Sequence, residues 1–150
     1  MKNIFHPGVK EEILERIKSL NNTHTPIWGK MNVAQMQAHC VRPLALAMGE
    51  AEAKPASFIM SLLGKLVKRT VVSEKPFKQN LPTDPTFITV ASEFDFNDAQ
   101  KELIAAVTRF VEKQDTVPDF KHPFFGKLTK DEWGISQYKH LDHHLRQFGK

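Results

Sequence analysis

Two histidines four residues apart, His140 and His144, stand in the run YKHLDHHLRQF near the C-terminus. A third, His39, lies about a hundred residues upstream in MNVAQMQAHC. On an α-helix, positions i and i+4 are about 40° apart around the axis and one turn apart along it. Two imidazoles so placed can grip one metal ion from the same face. A third imidazole from a facing helix completes a three-histidine site with an open position, the form that catalytic zinc takes. Three neutral ligands leave a bound cation its full charge, which favours an anionic fourth ligand. The chemistry this suggests is activation of a thiol or a water.

The neighbouring residues are weighed against plainer roles. His143 precedes His144 directly and lies about 100° away around a helix axis, so it does not share the ligand direction. Asp142 faces away from both His140 and His144. The segment therefore lacks the glutamate of the His-Glu-x-x-His zinc proteases. Cys40 follows His39 and is read as a small buried hydrophobe. Pro43, four residues after His39, removes the N–H that would bond the His39 carbonyl. It predicts a kink that either aims the imidazole or merely serves packing. His122, in KHPFFG with Phe124 and Phe125, either lines a pocket mouth or sits in a loop pinned by aromatics. Trp28 is expected to pack on the bundle end, and His6 and His24 fall in turn-like contexts. No Gly-rich phosphate loop and no Gly-x-Ser-x-Gly elbow occurs.

Helices must position these groups, and the helical signals run through most of the chain. Val9, Ile13, Ile17 and Leu20 recur at helical spacing from about Gly8 to Leu20. A second helix is expected after Asn32, a favoured N-cap with Gln35 at the third helical position, and it runs to about Met48 before Gly49. A shorter helix is expected from about Ala56 to Arg69. A long irregular stretch with three prolines follows, with an extended segment at Phe87 to Val90. A fourth helix is expected from about Asp98 to Lys113. The last starts at Thr129, whose Thr-x-x-Glu box closes on Glu132, and reaches about Phe148. The expected fold is an all-α four-helix bundle with one additional short helix and a long crossover loop. Bundles build metal sites from side chains on facing helices.

The bulk numbers agree with one domain over residues 1–150. The chain is 41% hydrophobic and 25% charged, both ordinary for a globular protein. At this length roughly 68–70% of the unfolded surface is buried on folding, enough for a core without staples. The single Cys40 excludes an internal disulfide. The N-terminus lacks a signal-peptide apolar stretch, and no run is long enough to span a bilayer. A cytoplasmic protein without membrane association is expected. The net charge of +4 is mild. The basic run from Lys65 to Arg69 reads as the cationic end of a helix, so no nucleic-acid partner is expected. The oligomeric state stays open, with a homodimer among the options.

These residues together resemble the DinB/YfiT-like superfamily of four-helix-bundle metalloenzymes. There a capped helix carries a histidine seven residues after its N-cap, as His39 follows Asn32. The last helix carries His-x-x-x-His followed three residues on by Gln, as do His140, His144 and Gln147. More narrowly, the chain resembles a branch with a WGKM-N segment, here Trp28 to Asn32, and an HPFFGKLT…EW…YKHLDHHLRQFG ending, here His122 to Gly149. The resemblance spans essentially the whole chain. It implies a divalent metal, zinc or nickel, held by His39, His140 and His144. Relatives in the wider superfamily include thiol-dependent S-transferases and a maleylpyruvate isomerase; the narrow branch implies no activity. The expectation is an enzyme acting on a small-molecule substrate, with a low-molecular-weight thiol or water as nucleophile. The alternative is a non-catalytic ligand- or partner-binding bundle whose histidines are structural or vestigial.

Overall fold

A computed structural model describes residues 1–51, 68, 71–73, 75–80, 93–117, 121–122 and 125–150. Among them are four α-helices: α1 (Val9–Lys18), α2 (Val33–Ala47), α3 (Phe96–Glu112) and α4 (Lys130–Gln147). A short 3-10 turn, Gln114–Thr116, follows α3. The expected helix at Ala56 to Arg69 falls almost wholly outside the described residues, as does the extended segment at Phe87 to Val90.

Local chemistry sets the helix starts. The Asn32 side chain accepts from the Gln35 backbone N–H at 2.9 Å, and the Gln35 side chain accepts from the Asn32 N–H at 2.9 Å. Thr129 and Glu132 make the same reciprocal box at the head of α4. Each box satisfies two backbone donors that the first turn leaves unpaired. Helix α3 begins two residues before the expected Asp98. The Asp95 carboxylate caps it by accepting from the Asp98 N–H at 3.0 Å. At the other end of α2, Gly49 takes φ 71°, the left-handed stop expected of it. Pro43 sits inside α2 without ending it.

The helices form an all-α bundle. α2 packs on α3 and α4, and α1 packs on the same two. Ile13, Ile17, Met36, Cys40, Leu44, Leu103, Val107, Phe110, Trp133, Leu141 and Leu145 meet in one buried cluster. Residues ahead of α1 close one side. The Ile4 N–H bonds the Gly134 carbonyl, and Asn3 reaches Asp131. A Cβ on Gly134 would collide with the Asn3 side chain. Glycine inside a helix costs about 1 kcal/mol relative to alanine. Here it lets the N-terminal segment lie directly on α4. At the far end of α4, Arg16 of α1 donates to the Asp142 carboxylate and to the Lys150 carbonyl, both at 2.9 Å.

The connection between α3 and α4 holds a feature not expected from the sequence. Lys121–His122 (β1) pairs antiparallel with Gly126–Lys127 (β2) in a two-residue ribbon. Among the described residues, no helix is long and apolar enough to cross a membrane.

Candidate metal centre

The heptapeptide after the Asn32 cap places His39 on the side of α2 that faces α4. His140 and His144, one turn apart on α4, face back. The Nε2 atoms of His39 and His140 stand 3.1 Å apart, and one ligand nitrogen from each of the three rings lies within 4.8 Å of the others. The rings of His39 and His144, and those of His140 and His144, have centroids 4.7 Å apart. One turn away, the Gln137 amide of α4 donates to the Pro43 carbonyl of α2 at 3.4 Å. Contacts that climb α2 thus descend α4. The two helices run antiparallel past the histidines.

Burial favours the neutral form of both α4 imidazoles. Burial holds the His144 imidazole down to about 3, helped by the adjacent His39; its bond to Gln147 opposes the shift. Burial also holds His140 well below its ordinary value, with His144, His39 and His143 adding to the effect. Two neutral lone pairs at 3.1 Å attract only if a proton or a cation lies between them. In tetrahedral zinc with Zn–N of 2.0–2.1 Å, neighbouring nitrogens are roughly 3.3 Å apart. The His39–His140 spacing is close to that edge, and the donor set suits a divalent ion. The residues present therefore fit a metal. His39 is 4% exposed and His144 9%, whereas His140 is half-buried.

The centre has one built support that sequence reasoning did not identify. Gln147 Oε1 lies 2.9 Å from His144 Nδ1, and Gln147 Nε2 donates to the Trp28 carbonyl at 2.6 Å. A histidine ligand commonly gives its outer N–H to such an acceptor. The signal lay in Gln147 itself, three residues past His144. Its second partner is 119 positions away and has no local trace. By contrast, the outer nitrogen of His140, Nδ1, is buried with no hydrogen-bond partner among the described residues, as is Gln137 Oε1.

The other candidates fall outside the cluster. The His143 ring turns away between Trp28 and Phe77, with centroids at 5.6 and 6.1 Å. It borders a cleft of about 270 Å³ on the outer side of α4, with Phe77, Lys139 and Arg146. Asp142 pairs with Arg16 and, more loosely, Arg146. Cys40 is buried beside Met36, and burial pushes its thiol far up. His122 stacks on Phe125 at 4.3 Å and leans on Trp133 at 5.4 Å, so it pins the loop. Trp28 meets α4 through its carbonyl as well as its ring. His24 folds back on Asn21, and His6 is exposed.

No curated protein and no solved structure matches the chain at a significant level. One family model matches residues 6–150, described as a protein of unknown function, DUF1569. That match takes in His39, His140, His144 and Gln147 alike, and the chain belongs to the DUF1569 family.

Proposed function

We propose that this chain is a DinB/YfiT-like metalloenzyme. In this reading His39, His140 and His144 hold one divalent ion, zinc or nickel. The protein activates a low-molecular-weight thiol or a water for S-transfer to, or hydrolysis of, a small cytoplasmic substrate. The observation that carries the reading is the convergence of three imidazoles from two facing helices, with one ligand nitrogen from each within 4.8 Å of the others.

A divalent ion bound there supplies Lewis-acid chemistry that lowers the pKa of the attacking water or thiol. The chain's own residues prepare for it. Burial keeps His140 and His144 deprotonated at neutral pH, so their lone pairs are available without prior proton loss. Gln147 orients His144. Leu141 and Leu145, next in sequence to His140 and His144, are both 1% exposed and anchor this stretch of α4 in the core.

The test begins with elemental analysis of protein purified without added metal or a polyhistidine tag. About one equivalent of metal is expected. Loaded protein is then assayed for loss of small thiols to alkylating electrophiles and for hydrolysis of small esters and amides, beside His140→Ala. Metal without turnover in any assay favours the binding-bundle alternative. Failure to take up metal under any loading condition sinks the reading.

A further inference from the structure

We propose that Gly29 is a positioning residue for His144, acting through Gln147 and the Trp28 carbonyl. The proposal rests on the reading of His144 as a ligand, but its first consequence is visible without metal.

Gln147 Nε2 faces the Trp28 carbonyl at 2.6 Å, and a backbone carbonyl can only accept. The amide is therefore oriented with its NH2 toward Trp28 and its oxygen toward His144. That oxygen also only accepts, so His144 Nδ1, 2.9 Å away, must carry the proton. The lone pair of the neutral ring then sits on Nε2. One backbone carbonyl in the connection before α2 thus sets the tautomer of a histidine on α4. Gln147 is 3% exposed, so water does not compete for either bond.

Gly29 makes the arrangement possible. Its φ is +83°, a conformation that L side chains rarely adopt. A Cβ there would lie 2.5 Å from Gln147 Nε2, inside contact distance of the atom that holds Trp28. The Ile27 N–H also bonds the Gln147 carbonyl at 2.7 Å, so this connection grips the last turn of α4 through backbone as well. Alanine at 29 would displace the amide without touching any imidazole.

The experiment reads the His144 ring in metal-free protein by 15N NMR long-range correlations, and Co(II) affinity by titration. Wild type should show the Nδ1–H tautomer. Gly29→Ala and Gln147→Met should both shift it toward Nε2–H and weaken Co(II) binding by about 10–100-fold. Gln147→Glu keeps the acceptor and should retain the Nδ1–H form. Gly29→Ala in the Gln147→Met background should weaken binding no further, because the amide it displaces is gone. A Gly29→Ala protein that folds with the wild-type tautomer overturns the proposal, and so does an additive double variant. If Gly29→Ala does not fold, the Gln147 pair decides: equal tautomers in Met and Glu variants overturn it. If the tautomers shift as expected but wild type binds no metal, the relay stands and the metal reading fails.

Discussion

Two parts of the molecule bury histidine in different ways. At the head of α4, His122 is held down to about 4 by burial, stacked on Phe125 and packed against Trp133. In the last turns of α4, His140 and His144 are also held down by burial, yet their nitrogens converge with that of His39. A depressed imidazole therefore does not distinguish a site from a packed aromatic. Convergence of lone pairs does. In the first region the ring serves as a flat surface, and the Phe125 N–H bonds its Nδ1 at 3.3 Å. In the second, two nitrogens face each other at 3.1 Å and need something between them.

The largest effect should come from His140→Ala. It should abolish stoichiometric metal binding, because two imidazoles hold a divalent ion poorly, and it should leave a cooperatively folded helical protein. Metal content by mass spectrometry and thermal unfolding with and without chelator check this. The wild type should lose a few kcal/mol on chelation and stay folded, since the core does not need the ion. Unfolding by chelator alone would make the centre a structural staple like that of a zinc finger.

His122→Phe should test the other region. The folded pKa of about 4 lies below the ordinary 6.5, so the unfolded chain takes up the proton first as pH falls. The contribution of neutral His122 is complete above pH 6.5 and is lost as pH falls through about 4. Its size is on the order of 3 kcal/mol. The variant should therefore lose less stability than wild type between pH 7 and 4, measured by urea midpoints, with metal content unchanged. Parallel losses would mean that His122 is not kept neutral by burial.

A smaller effect is expected next door to the ligands. His143→Ala should keep one equivalent of metal, with affinity changed by no more than about tenfold, because its ring faces Phe77 and Trp28. Loss of metal there would redraw the ligand set. Smallest of all is Cys40→Ala. The native thiol should resist alkylation, and the variant should match wild type in metal content. Rapid labelling of Cys40 in folded protein would contradict its burial.

The parts legible in the sequence are those written in short-range chemistry. The boxes at Asn32 and Thr129 follow from side chains three residues apart, and helical spacing alone puts His140 and His144 on one face. The start of α3 was misplaced because Asp95 lies between Phe94 and Phe96, outside the apolar repeat that marks the helix. The ribbon at 121–127 was not anticipated, because its strands are two residues long and carry no period. Gln147 stands one turn from His144 in the sequence, but the Trp28 carbonyl that orients its amide lies 119 positions away and leaves no local trace.

The contact between His39 and His140 joins positions 101 apart in the chain. Closing a loop of that length costs on the order of 4 kcal/mol in chain entropy. Neither α2 nor α4 holds the whole ligand set alone. Any three-ligand affinity for a metal would therefore arise only when the two helices dock, the His140–His144 pair alone holding an ion weakly at most. During refolding, uptake of a coloured ion such as Co(II) would time that docking and lag behind the helical signal.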